Sequence, residues 1–293
     1  MALATVLIPT MTDRGPLLRY SIGSVIDQTV KDIDIFVIGD GVNEKTRRVI
    51  HELQEKYPRI SFFDHPKHHR RGEPNRHQAL MQADSKIVCY LCDRDLYFPE
   101  HVETMLGLLE DADFAHTRTA YMDPDGRLRV VGAVDLTKSY CRRALTRCKT
   151  CIALSTAAHT LEMYHRLPFG WRTTPNEFST DTYMFAQFLS EPDCRVAYGA
   201  QPSVLWMQRG DASVSERQPE LTAVYSRLHD PVFRQRLLEG LERERISVRG
   251  RIKQVLFMIT SRRTRFARLI QAIRRAGSSI VRKAAGTSPP ARR

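Results

Sequence analysis

Acidic residues are missing from one end of this chain: from Arg245 to Arg293 there are 14 Lys or Arg and no Asp or Glu. Taking that +14 from the formal net charge of +12 leaves −2 for residues 1–244, so the basicity belongs to an appendage and the body is near neutral. Interleaved aromatics, zinc-finger spacing and an RNA-binding sheet signature are also absent, which counts against a nucleic-acid-binding protein; no nucleic-acid partner is expected. No run approaches the roughly 18–20 apolar residues that cross a bilayer. Met1 leads straight into a strand-like run without the charged start and cleavage site of an export signal, so the expectation is a cytoplasmic chain whose six cysteines are reduced. Cys89/Cys92 and Cys148/Cys151 have the C-x-x-C spacing of zinc sites. Cys89 and Cys92, however, share a strand-like run in which side chains three apart face opposite sides, so ordinary thiols are the better reading.

What is present is a regular first hundred residues. Ala4–Pro9, Ile33–Ile38, Ile60–Phe63 and Ile87–Leu91 are short apolar runs of the kind buried on both faces of a sheet. Between them, helices are predicted over Pro16–Gln28, after an Asn43 cap, and over Pro74–Gln82; Pro99 opens another. This alternation predicts an α/β fold with a doubly wound, mostly parallel sheet and right-handed crossovers. Ligands of such sheets bind beyond the carboxyl ends of the strands. After residue 112 the pattern becomes mixed. A hairpin is predicted from Phe114–Tyr121 and Leu128–Val134, helices at Leu161–Arg166 and Thr182–Leu189, and two short strands at Arg195–Tyr198 and Ser203–Met207.

The polar residues that carry chemistry gather at predicted strand ends. Asp93-Arg94-Asp95 directly follows the fourth strand, and two carboxylates at a sheet mouth suit a hard divalent cation that would neutralise a diphosphate. A strand-end acidic turn capping the next helix is the bland alternative. Pro9-Thr10 ends the first strand, Gly39-Asp40-Gly41 the second, and Gly72-Glu73-Pro74-Asn75-Arg76 precedes the fourth; Ser24–Thr29 closes the first helix. Asp181, in Ser179-Thr180-Asp181, opens a helix and competes with Thr180 as its cap. The basic run His65, His68, His69, Arg70, Arg71 reads as a solvated loop, with metal or phosphate binding as the alternative.

Taken in this order and spacing, these segments resemble the family 2 glycosyltransferases of the GT-A fold, over residues 3–210 and most densely over 4–106. The resemblance implies that Pro9 and Thr10 hold a nucleotide base by their backbone, that Asp40 bonds the base or ribose, and that Arg76 lies over base and phosphates. It implies Asp93 and Arg94 at the nucleotide-diphosphate motif, Asp93 and Asp95 on a divalent cation (Mn2+ or Mg2+), and Asp181 as the general base that deprotonates the acceptor. Departures from the family pattern are Met11 for an aromatic residue, Gly39 for an acid, Arg94 at the usual metal-binding acid, a replaced late histidine near Arg209, and Thr180 for a glutamate, with Glu177 one turn earlier.

The implied activity is inverting transfer of a sugar from a nucleotide-diphosphate sugar, a UDP-sugar first, to an acceptor hydroxyl in bacterial cell-surface glycan assembly. Its partners are then the donor and a glycan or lipid-linked glycan. A homologue that binds nucleotide sugars without turnover is the alternative that Arg94 and Thr180 suggest. The expected organisation is a nucleotide-sugar half over 1–112, an acceptor half over 113–215 with Trp171 either stacking on sugar or anchoring a loop, a basic helical tail over 216–285, and a disordered end over 286–293. Within the tail, Ile252, Val255, Leu256 and Ile259, then Phe266, Leu269, Ile270 and Ile273, repeat a helical stripe among arginines. Residues 245–285 are therefore expected to lie on an anionic membrane surface, at the inner face of the cell membrane.

Overall fold

The computed structural model describes residues 1–122, 128–130, 134–147, 152–207, 213–236 and 239. Expectations for Cys148, Cys151, Arg209, the 245–285 tail and the 286–293 end lie outside the described residues.

The first hundred residues fold as their periodicity predicts. Strand β1 (Ala2–Met11), helix α1 (Gly15–Ile26), β2 (Ile33–Asp40), α2 (Glu44–Lys56), β3 (Ile60–His65), α3 (Glu73–Leu80) and β4 (Ser85–Tyr90) alternate along the chain. β1 pairs in parallel with both β2 and β4, and β2 with β3, giving the order β3-β2-β1-β4. Pro lies within the first turn of α1, where a missing N–H costs nothing, and the Asn43 side chain accepts the Thr46 N–H at 2.9 Å to cap α2. Two apolar layers cover the parallel strands. Ala4, Val6, Ile8, Ile35 and Val37 face one layer with Leu18, Ile22 and Ile50, whereas Leu7, Phe36, Ile38 and Val88 face the other. Cys89 and Cys92 divide between these layers, as their spacing in an extended run requires.

Beyond β4 come β5 (Leu96–Tyr97), α4 (His101–Leu108), β6 (Phe114–Met122), β7 (Leu128–Val130), α5 (Ser139–Thr146), a 3-10 turn at Leu154–Thr156, β8 (Ala157–Thr160), α6 (Leu161–Arg166), α7 (Thr180–Ser190), β9 (Val196–Trp206) and α8 (Val214–Tyr225). Here the sheet turns mixed: β8 pairs antiparallel with β4 and β6, β6 runs parallel to β9, and β7 forms the expected hairpin with β6. The two strands predicted between 195 and 207 are one strand. A register shift opposite Thr117–Thr119 lets β9 continue through Gly199–Pro202, which broke the apolar pattern in the sequence.

Residues 216–236, expected to begin the basic appendage, pack on the body. Leu221 and Val224 of α8, with Leu228 and Phe233 just beyond it, close over Leu17, Leu96, Phe98 and Leu205. Ser213 and Glu216 form a reciprocal capping box at the start of α8. Among the described residues no helix is long and apolar enough to cross a membrane.

Candidate active site

The carboxyl ends of β1, β2 and β4 lie side by side, with the Met11 position beside Asp40 and Leu7 beside Tyr90. The strand order reverses direction between β1 and β4, which is where such sheets open a crevice. A cavity of about 740 Å³ occupies this place. Pro9, Thr10, Asp40, Arg76, Asp93, Arg94, Asp95 and Asp181, every site residue proposed from the sequence, line it together.

Each arrives by a different route. Thr10, at the end of β1, donates its hydroxyl hydrogen to Asp93 Oδ2 at 3.0 Å and so ties the first strand to the loop after the fourth. Asp93 is buried, which pushes its carboxyl up from the ordinary value; Arg14, 4.0 Å away, and Arg94 oppose that shift. Asp95 is more enclosed still. It accepts the Ser155 hydroxyl at 2.6 Å and the Met207 N–H at 3.4 Å, and burial pushes it up to about 6. Asp40 is ion-paired with Lys67 and accepts the His68 N–H at 2.6 Å. That contact needs Gly72: its φ is +66°, and a Cβ there would lie 3.1 Å from the Asp40 carboxyl carbon.

Arg76 shows how the two halves of the molecule meet. Its guanidinium lies 4.7 Å from the centre of the Trp171 ring, and Nη2 donates to the Arg71 carbonyl at 2.9 Å. Nε and Nη1 are buried without a hydrogen-bond partner, as is Nε of Arg94. Unpaired guanidinium N–H groups at the wall of a cavity are ready-made donors for an anionic ligand. Trp171 itself is 2% exposed and does not line the cavity. It donates Nε1–H to the Tyr90 hydroxyl at 3.0 Å, and that hydroxyl lies 2.6 Å from His159 Nε2. Of its two expected roles, the structure assigns the anchor.

Asp181 sits in the first turn of α7, half-buried. Neither it nor Thr180 caps the helix; Ser179 does, accepting the Thr182 N–H at 3.4 Å. The Asp181 carboxylate is thereby left to the cavity. Desolvation raises its pKa, while the charges of Arg76 and Arg71 pull it down. Glu177, the other acid near this position, is exposed and does not line the cavity.

Sequence reasoning missed several wall residues. Lys67, Arg70 and Arg71 come from the loop read as solvated, and they line the cavity. Leu154, Thr156 and the β6 residues His116 to Thr119 carry no motif. Only the unusual density of basic residues over 67–71 hinted at that loop's role.

The donor chemistry of the mouth suits a hard cation. Of the four carboxylates that line the cavity, Asp93 and Asp95 come from one loop, and burial raises both despite their hydrogen bonds. Among the described residues no group of three or more His, Cys, Asp or Glu is placed to hold a metal alone, so phosphate oxygens and water would have to complete the shell.

Residues 5–170 match the family model described as Glycosyl transferase family 2. The chain is 29% identical over 112 residues to the GalNAc(5)-diNAcBac-PP-undecaprenol beta-1,3-glucosyltransferase of Campylobacter jejuni, covering 38% of this chain and 36% of that protein. It spans less than half the length of the curated relatives it matches. Among solved structures, S. aureus TarS residues 1–349 in complex with UDP-GlcNAc superposes with a TM-score of 0.57 at 13% identity, over 92% of this chain and 81% of that one. A mannosyltransferase of Pyrobaculum calidifontis in complex with GDP-Man and Mn2+ gives a TM-score of 0.50 at 14% identity, over 98% of this chain and 88% of that one. The likeness to these two is one of fold, and the fold is GT-A-like.

Proposed function

The chain belongs to glycosyl transferase family 2, and from that premise we propose that it moves a sugar from a nucleotide-diphosphate sugar to an acceptor hydroxyl with inversion. One observation carries this reading: Asp181 and Arg76, 105 positions apart in sequence, meet at a single cavity with the acidic mouth of β4. The base and ribose lie against Pro9, Thr10 and Asp40, where Lys67 must yield one of the Asp40 oxygens. The diphosphate lies toward Arg76 and Arg94, whose unpaired N–H groups would stabilise the charge that grows on the leaving group. A divalent cation held by Asp93 and Asp95 would add a second positive charge to the same diphosphate. Asp181 takes the proton of the acceptor hydroxyl, which attacks the anomeric carbon from the face opposite the diphosphate. A UDP-sugar as donor is supported by the uridine nucleotide in the TarS complex, and a lipid-linked glycan as acceptor by the name of the Campylobacter relative.

Thermal shift with UDP, GDP, UDP-sugars and GDP-mannose tests the donor. A ligand at one hundred times its dissociation constant should stabilise the fold by about 2.7 kcal/mol. Manganese should enlarge the shift over a chelator arm, and Asp95→Ala should remove that increment. If no nucleotide or nucleotide sugar shifts the melting temperature, the reading is wrong.

Residues 245–285 belong to the proposal as a peripheral membrane element, because their apolar stripe and uncompensated arginines suit anionic headgroups. Flotation with anionic liposomes should require low salt and vanish in a chain ending at Glu244. Full-length protein that stays unbound at low salt would remove the membrane from the proposal.

A further inference from the structure

Glu73, the first residue of α3, is fully buried yet does not line the cavity. Burying a carboxylate is unfavourable unless hydrogen bonds replace its water, and here three segments supply them. Oε2 accepts the Arg71 N–H at 3.0 Å, from the basic loop that lines the cavity. Oε1 accepts the Thr174 N–H at 3.3 Å, from the loop after Trp171, and the Thr180 hydroxyl at 3.4 Å, from the first turn of α7. His68 Nδ1 stands 3.7 Å from Oε2. Desolvation pushes the carboxyl up, but hydrogen bonds from its own N–H, from Arg71 and from Thr174 hold it below its ordinary value, so Glu73 keeps its charge inside the fold.

Two of its connections end on the proposed catalytic apparatus. Thr180 is the residue immediately before Asp181, and Arg76 lies one turn beyond Glu73 on the same helix. The electrostatic surroundings of Asp181 are Arg76 and Arg71, which favour its ionised form, and Glu73, which opposes it. A carboxylate faced by two guanidiniums alone would be a poor proton acceptor, since strong pairing weakens its basicity.

We propose that Glu73 is a positioning residue for Asp181, tethering the turn that carries it and offsetting the two guanidiniums that act on it. The inference rests on the reading of Asp181 as the general base. It gives a reason for a full negative charge in the wall behind the site, where an apolar side chain would pack without the cost of desolvation.

The test is a carboxyl-carbon NMR titration of the full chain labelled at aspartate, with Asp181→Asn to assign the resonance. In Glu73→Gln the Asp181 midpoint should fall by about half a pH unit or more, the direction expected when a neighbouring negative charge is removed. A folded Glu73→Gln protein with an unmoved midpoint overturns the proposal. Thr180→Val covers the case in which Glu73→Gln does not fold, because it cuts the tether and leaves the carboxylate. Release of nucleoside diphosphate from UDP-glucose, UDP-N-acetylglucosamine or GDP-mannose should then show kcat reduced about tenfold, with donor KM unchanged. Wild-type kcat in Thr180→Val overturns the proposal as well. Failure of the underlying reading looks different: Asp181→Asn would turn over at the wild-type rate, whatever Glu73→Gln does.

Discussion

The halves on either side of residue 112 are built by different physics. In the first, each strand is followed by its helix within a few residues, and each cap or turn is local: Asn43 caps α2, and Gly41 and Gly72 supply the left-handed turns at the site's edge. In the second, β8 and β9 pair with strands far back along the chain, and buried polar groups do much of the joining. Tyr90 of β4 contacts His159 of β8 and Trp171 of the following loop; Asp95 depends on Ser155 and Met207. The first half thus holds the groups assigned to the nucleotide, whereas the proposed base comes from the second. The seam is where the cavity forms, so the site exists only when both halves are docked.

Trp171→Ala should have the largest effect and should break the seam. Loss of a fully buried Trp typically costs about 3–5 kcal/mol, here together with the Tyr90 hydrogen bond and the support of Arg76. Denaturant unfolding measures it; unchanged stability with lost turnover would return Trp171 to the role of a sugar platform. Asp181→Asn sharpens the division of labour between the halves. Turnover should drop about a hundredfold or more while nucleotide binding, proposed for the first half, stays nearly intact. Single-turnover kinetics beside a binding isotherm would show it, and equal losses in both would place Asp181 on the donor side.

Asp95→Asn should raise stability at the seam, with a definite pH dependence. The Asp95 carboxyl is pushed from 3.8 to about 6 in the folded chain, so its neutral form suits the fold. The cost of ionising it is absent below pH 3.8, grows between 3.8 and about 6, and is complete above that. The substitution should therefore raise the melting temperature of ligand-free protein at pH 8, by an amount worth roughly 3 kcal/mol, and leave it unchanged near pH 3.5. Equal gains at both values would point to packing rather than charge. The smallest effect belongs to the first half. Asn43→Ala removes one local cap, worth about 1 kcal/mol of stability, and should leave turnover as it was.

The same contrast explains what could be read from residues alone. The order β1 to β4 was legible because periods of 2 and 3.6 are written in adjacent residues, and the strand-end motifs sat where a parallel sheet puts its ligand. Strand β9 was misread as two because its register shift is decided by pairing with β6. The start of the appendage was misplaced because Leu221, Val224, Leu228 and Phe233 are apolar residues whose partner, the surface around Leu17 and Phe98, lies more than a hundred residues earlier.

By itself the sequence determined the α/β class, the parallel core, the strand-end placement of Thr10, Asp40 and Asp93, and the resemblance that proposed Asp181. Those follow from local patterning, which a chain carries without folding. Tertiary structure alone decided that Ser179 and not Asp181 caps α7, that Trp171 is an anchor, that Lys67 answers Asp40, and that Glu73 sits behind the proposed base. Thr10 meets Asp93 across 83 positions and Glu73 meets Thr180 across 107. Contacts at such separations have no signature in neighbouring residues, because they form only once the two halves share one hydrophobic core and their buried polar groups must find partners across it.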